Sequence, residues 1–393
     1  MFDFSSFLSN KAFITEDHHV YTYADLLGLS ERFSEHLVPR SLIFIGCENS
    51  LESIVAYVSC LRSGVVPLLL SRDVPDETLY HLEAIYHPRY CWFPSRRDLL
   101  VKGKEKYSLG GYSLIQYDGD SPVLPEGLAL LLTTSGSTGS PKLVRLSHDN
   151  LKSNACSIIE YLKITSSEKA ITSLPMYYSY GLSVLNSHLL AGATLLLTDK
   201  SYVQREFWKF VLEEKATSFA GVPFTYEILK KMRFEKFLPS SVKVMTQAGG
   251  KLNSSLIKYF SEYARLHDIR FYVMYGQTEA TARMSYLPAE YTLNKVGSVG
   301  VAIPGGHFSL IDEDGMRIVS PNVEGELVYE GSNVFWGYAE SLDDLFKGDE
   351  NKGILYTGDL AYVDSEGFYY ISGRKKRFLK LYGNRISLDL SLI

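Results

Sequence analysis

Cysteine is scarce: Cys47, Cys60, Cys91 and Cys156 lie far apart, with no CxxC pair and no ligand-like grouping with the nine histidines. That spacing excludes a disulfide framework and offers no zinc site, so a reducing, cytosolic compartment is expected. No 18 apolar residues run together, and the N-terminal MFDFSSFLSNKAFITEDHH has no basic stretch before a long apolar one. Neither a membrane span nor a secretory signal is expected. Charge of one sign is also missing, with 40 basic against 45 acidic residues and a net −5. A general nucleic-acid binder is thereby excluded, and any polyanion must be held by a local basic site. Glycine and proline are modest at 30 and 14, while 46% of the residues are hydrophobic and 22% charged. Disordered, collagen-like and low-complexity chains do not have that balance. At 393 residues the chain is long for one core, which points to two or three domains or to one domain built of subdomains.

What is present is a recurring short apolar run: Leu42 to Ile45, Val65 to Leu70, Leu128 to Leu132, Ala193 to Leu197, Ser218 to Val222, Val242 to Met245 and Phe271 to Tyr275. Runs of this length separated by amphipathic segments predict buried parallel strands in βαβ units. Leu51 to Ser63 is one helical partner, with Ile54, Val58 and Leu61 spaced by four and three before Gly64, and Arg205 to Lys215 is another. After about residue 285 the texture changes to SVGVAIPGG, IDEDGM, NVEGELVYEG and VDSEGFYYISG, whose frequent turns predict antiparallel strands. The expected fold is α/β: two βαβ-type subdomains with mostly parallel sheets, at 1–135 and 136–284, a smaller antiparallel sheet or barrel at 285–372, and a stub at 373–393. A nucleotide would lie where the three meet.

Directly after the run Leu128 to Leu132 comes Thr133-Thr134-Ser135-Gly136-Ser137-Thr138-Gly139-Ser140-Pro141-Lys142. Glycines turn backbone N–H groups toward a phosphate, hydroxyls add donors and a lysine adds charge. Ser140 and Pro141 stand where GxxxxGK[ST] needs other residues before its lysine, and GxGxxG does not fit either, so P-loop and dinucleotide enzymes are disfavoured. A Ser/Thr/Gly surface loop would have the same composition. The position after a buried strand is what argues for a phosphate cradle.

This stretch resembles the phosphate-loop signature of the adenylate-forming, AMP-binding superfamily, which includes acyl-CoA synthetases, luciferases and peptide-synthetase adenylation domains. Further segments follow in the family's order: Tyr275-Gly276-Gln277-Thr278-Glu279, Tyr356-Thr357-Gly358-Asp359, and Gly373-Arg374-Lys375-Lys376 with Lys380 and Gly383. The resemblance runs from about Tyr21 to the end of the chain and covers that family's large N-terminal domain.

The resemblance implies a set of roles. Thr134, Ser135, Gly136, Ser137, Thr138, Gly139 and Lys142 would hold phosphates. Tyr275 would lie on the adenine and Gly249 and Gly250 beside the adenine and the acyl group, Gly276 and Gln277 would also contact the nucleotide, and Thr278 would stand against the α-phosphate. Glu279 would hold magnesium on the nucleotide, and with Lys142 and Thr278 would form the catalytic group. Asp359 would take both ribose hydroxyls, with Arg374 beside it, and Lys376 would be a hinge. The basic run Arg374, Lys375, Lys376, Arg377 and Lys380 also reads as a solvated face or a nucleic-acid patch; no interleaved aromatics support the latter. In Pro175-Met176-Tyr177-Tyr178-Ser179-Tyr180-Gly181, Tyr178 matches the residue that gates the acid, and Tyr177, Gly221, Val222, Pro223, Ala248 and Gly249 would complete the acyl pocket. Those tyrosines are equally suited to core packing with satisfied hydroxyls. The segment has no acid to pair with an α-ammonium, so a carboxylic acid without an α-amino group is expected.

The implied activity is ATP-dependent formation of an acyl-adenylate, then a thioester on CoA or the phosphopantetheine of an acyl carrier protein, with ATP, magnesium and the acid as small-molecule partners. Two departures matter. Leu143 stands where the family usually has glycine, and the family continues beyond its hinge into a C-terminal domain with a lysine essential for adenylation, which has no counterpart before Ile393. The expectation is therefore a truncated form, with a nucleotide- and acyl-binding module without turnover as the alternative.

Overall fold

The helix Leu51–Ser63 forms where the spacing of Ile54, Val58 and Leu61 predicts it. The Ser50 hydroxyl caps its first turn by accepting from the Ser53 N–H, and Gly64 closes it at φ 70°. It is buried nearly all round, because it lies between two sheets. One apolar cluster runs from Ile43, Leu69 and Leu132 of one sheet through Ile54, Val58 and Leu61 to Phe13 and Leu195 of the other. The helix Ser179–Leu190 shares this layer, tied to the first by the Tyr57 hydroxyl, which donates to Oδ1 of Asn186 at 3.0 Å. Each such aliphatic side chain contributes about 1.5–3 kcal/mol on burial.

The computed structural model describes residues 1–95, 103–133 and 142–375, and the backbone of the antiparallel pair Phe378–Leu381 and Asn384–Ser387. The eight-stranded sheet has a parallel centre of Leu128–Thr133, Val66–Ser71, Leu42–Cys47 and Tyr90–Pro94. The nine-stranded sheet is parallel from Lys11–Ile14 through Thr194–Leu196, Lys169–Ile171, Ser218–Gly221 and Val244–Gln247 to Arg270–Tyr275. Alternation assigns the faces of the last strand. Tyr272 and Met274 join the cluster between the sheets, while Phe271 and Val273 join an outer cluster with Phe207, Leu229 and Phe260 of the covering helices. A third, antiparallel sheet of five strands runs Arg317–Ile318, Gly306–Ile311, Gly325–Gly331, Ile354–Val363, Tyr369–Arg374. Two mostly parallel α/β sheets and a smaller antiparallel sheet are the expected fold class. No helix among the described residues is long and apolar enough to cross a membrane.

The sheets do not follow the expected boundaries at 135, 284 and 372. Leu143–Ser147 pairs back onto Leu128–Thr133, and Gly337–Ala339 adds beyond it to the eight-stranded sheet. At the other end, Lys11–Ile14 and Val20–Thr22 belong to the nine-stranded sheet, as do Ser285–Leu287 and Val301–Ala302. Periodicity reports that a strand is buried but not which distant strand it pairs with.

Candidate functional site

Three parallel strands end together, with Gly221, Gln247 and Val273 in register. The segments that follow, Val222–Pro223, 248–253 and 276–279, therefore converge at the carboxyl edge, where open α/β sheets bind ligands. A cavity of about 460 Å³ opens there, lined by Tyr178, Ala248, Gly249, Gly250, Tyr275, Gly276, Gln277, Thr278 and Glu279, and closed on the far side by Asp359 and Arg374 of the antiparallel sheet.

Two glycines are required by this geometry. At Gly249 (φ 81°) an added Cβ would stand 2.5 Å from the Tyr178 hydroxyl and 3.2 Å from Cγ1 of Val222. At Gly276 it would overlap the Ala282 carbonyl oxygen. Gly250 is less constrained, with Cγ of Pro223 at 3.2 Å. Pro223 opens the helix Pro223–Met232 at its first position, where a missing N–H costs nothing.

Asp359 is the polar centre of the cavity. Its Oδ2 accepts from the Tyr275 hydroxyl at 2.6 Å and from the Gln277 side-chain amide at 3.0 Å, and that amide also donates to the Thr357 carbonyl at 3.0 Å. Oδ1 faces Nε of Arg374 at 3.7 Å, in the directly opposite cross-strand position. The Arg374 side chain is 73% exposed, so this ion pair contributes little to stability and leaves the guanidinium available. Burial, reinforced by Asp359, pushes the Tyr275 hydroxyl far above its usual range, so it stays a donor. Acceptor capacity remains on Asp359 for further hydroxyl donors.

In the cavity wall, the hydroxyls of Ser179 and Thr278 bond at 3.0 Å, and the Tyr180 hydroxyl bonds that of Thr246 at 2.8 Å. Burial raises the Tyr178 pKa, so its ring end is a neutral wall. At the other rim, Oε1 of Glu279 accepts from the Tyr338 hydroxyl at 2.7 Å, and the Lys142 ammonium lies 2.6 Å from Oε1 of Glu340. Among the described residues no group of three or more His, Cys, Asp or Glu could hold a metal ion. A carboxylate at the rim such as that of Glu279 suits a magnesium ion arriving on phosphates, since such ions need only one or two protein carboxylates.

The structure thus gathers Tyr178, Ala248, Gly249, Gly250, Tyr275 through Glu279, Asp359 and Arg374 around one space, with Lys142 nearby. Tyr177 packs against the core and, like Gly221, Val222 and Pro223, is not among the residues that line the cavity; Val222 and Pro223 stand against Gly249 and Gly250. Thr134, Ser135, Gly136, Ser137, Thr138, Gly139 and Lys376 lie outside the described residues. Sequence reasoning missed Lys251, Ser298, Val299 and Ile371, which also line the cavity. Lys251 directly follows the Gly249-Gly250 pair, a signal that could have been used; the others sit in ordinary strand and turn sequence.

A model of the AMP-binding enzyme family matches residues 6–339. A 2-succinylbenzoate–CoA ligase of Bacillus cereus is 32% identical over 400 residues, covering 97% of this chain and 80% of that protein. A ligase of the same name from Bacillus anthracis is 31% identical with the same coverage. Among solved structures, the O-succinylbenzoate coenzyme A synthetase of Bacillus subtilis in complex with AMP superposes with a TM-score of 0.75 at 23% identity, over 93% of this chain and 76% of that one. The N-terminal domain of FACL13 from Mycobacterium tuberculosis gives 0.78 at 18% identity, over 95% of this chain and all of that domain.

Proposed function

Because the chain belongs to the AMP-binding enzyme family, we propose that it activates a carboxylic acid with ATP and transfers the acyl group to the thiol of CoA or of a carrier-protein pantetheine. In the first step a carboxylate oxygen attacks the α-phosphorus, the bond to the bridging oxygen breaks, and pyrophosphate leaves. In the second the thiol attacks the acyl carbon and AMP leaves. Catalysis is mainly positioning and charge stabilisation.

The observation that carries this reading is the convergence of Tyr275, Gln277 and Asp359 at one end of the cavity with Glu279 at its rim. Asp359 and Arg374 hold the ribose, the Tyr275 ring and the Gly249–Gly250 backbone flank the base, and Thr278 and Lys142 take the phosphates. Glu279 would hold a magnesium ion arriving on the phosphates, which would supply neutralising charge there.

Tyr178 and Gly249 bound the acid. The segment Pro175 to Gly181 has no carboxylate, which disfavours an α-amino acid. The relatives named as 2-succinylbenzoate–CoA ligases make aryl keto acids the first candidates. The four free thiols, three of them buried, suit a reducing cytoplasm. Lys376 marks the hinge of this reading.

Native mass spectrometry of the chain with Mg-ATP and pooled aryl, fatty and amino acids tests the proposal. A retained acyl-AMP is expected, and its mass identifies the acid. Retention of ATP without any adenylate would favour a nucleotide-binding module instead.

A further inference from the structure

Tyr338 and Glu340 stand two residues apart in the segment that adds to the edge of the eight-stranded sheet, outside the residues that line the cavity. The register there is antiparallel, with Leu143 opposite Ala339 and Val144 opposite Tyr338, so Lys142 comes next opposite Glu340. The Lys142 ammonium meets the Glu340 carboxylate at 2.6 Å and lies 5.7 Å from the centre of the Tyr338 ring. The Tyr338 hydroxyl donates to Glu279 at 2.7 Å. One short segment therefore touches both charged side chains assigned above to the magnesium and the phosphates.

The segment is fixed from below. Arg145, whose side chain is fully buried, donates from Nε to the Tyr338 carbonyl at 3.2 Å and also bonds Glu350 and the Lys347 carbonyl. Gly337, at φ 142°, leaves room for it: an added Cβ would lie 2.6 Å from Nη2 of Arg145. A buried arginine spending its donors on backbone carbonyls holds a segment in one place.

We infer, resting on the function proposed above, that Tyr338 and Glu340 are positioning residues for this site. Tyr338 occupies one oxygen of Glu279, fixing the carboxylate so that its other oxygen serves the cation. Glu340 occupies Lys142 until phosphate displaces it. The strengths suit these tasks. A hydroxyl donating to a carboxylate is a strong, oriented bond, whereas Lys142 and Glu340 are 52% and 57% exposed, so their pair is weak and a multiply charged phosphate outcompetes one carboxylate.

The test is calorimetric binding of ATP, with and without magnesium, and of inorganic pyrophosphate to the full chain. Tyr338→Phe is expected to cut the magnesium-dependent gain in ATP affinity about tenfold while leaving magnesium-free binding unchanged. The effect should vanish when Glu279→Ala is already present, which a merely structural role for Tyr338 would not produce. Glu340→Gln is expected to tighten magnesium-free pyrophosphate binding by about two- to fivefold. Equal magnesium dependence in wild type and Tyr338→Phe, or weaker pyrophosphate binding by Glu340→Gln, overturns the inference while the proposed function stands. A wild-type chain that binds no ATP overturns both.

Discussion

The Tyr275 hydroxyl and the Asp359 carboxylate, 84 residues apart in the chain, meet at 2.6 Å and join the nine-stranded sheet to the antiparallel one. This bond consumes part of the carboxylate that would hold the ribose, so the two residues differ in expected weight. On the proposed function, Asp359→Ala removes the acceptor proposed for the ribose and should weaken ATP binding by about 1.5–3 kcal/mol, or roughly 10- to 150-fold, as a charge-assisted hydrogen bond predicts. Tyr275→Phe keeps the ring that is proposed to face the base and should cost less than about tenfold. Titration calorimetry of both variants checks this; equal losses would mean that the hydroxyl, and not the carboxylate, is the recognition element.

Gly249 faces two obstacles to a side chain, its positive φ and the Tyr178 hydroxyl. Gly249→Ala should destabilise the fold by about 1–3 kcal/mol and block the acid. Adding Tyr178→Phe removes the atom at 2.5 Å but not the backbone strain, so the double variant should recover part of the stability. Thermal melts of the single and double variants provide the measurement, and no recovery would show that strain alone is responsible.

His188 gives the stability a pH dependence of definite sign. Its ring is buried, Nδ1 bonds the Val184 carbonyl at 2.8 Å, and burial lowers its pKa to about 4. An unfolded histidine titrates near ~6.5. Between those values the unfolded chain binds a proton that the folded chain does not, so stability is complete above about pH 6.5 and falls as pH drops toward 4, by on the order of 3 kcal/mol. Urea unfolding at pH 7 and pH 5 should show the loss in wild type and a smaller one in His188→Gln; identical slopes would sink the assignment.

Arg145 should be among the costliest surface-distant positions to change. Arg145→Met leaves the Tyr338 and Lys347 carbonyls without their donor, and losses of this kind from buried charged networks run to about 3–5 kcal/mol. Glu350→Gln should cost far less, because that carboxylate is 48% exposed. Denaturant midpoints for the two variants decide it, and a mild Arg145→Met would show that the strand Gly337–Ala339 holds its place without the clamp.

Legibility in the sequence followed the range of the forces involved. The helix Leu51–Ser63 was legible to the residue, since spacing, a serine cap and a glycine stop are all local. The segment Tyr275 to Glu279 was legible as a unit because its residues follow one strand end in a short run, and the structure brings all five to one cavity. The different placement of Tyr177 and Tyr178 was not, because both rings pack against the same core cluster and only tertiary packing brings Tyr178 to the cavity wall as well. Tyr338 left no signal at all. Its sequence FWGYAE reads as an ordinary turn into a strand, and its partner Glu279 lies 59 residues away.

The sequence by itself determined the class of fold, the parallel strands and their helices, and several short segments that meet at one cavity, because periodicity, caps and short motifs are written in neighbouring residues. Tertiary structure alone decided that Lys11–Ile14 and Val20–Thr22 join a sheet whose other strands come after residue 168, and that Leu143–Ser147 and Gly337–Ala339 join the eight-stranded one. It also decided that Asp359 is reached by Tyr275 and Gln277, and that Glu279 and Lys142 are held by Tyr338 and Glu340. Strand pairing and cross-sheet hydrogen bonds are settled by the joint burial of distant segments, a collective free energy that no local window of the chain contains.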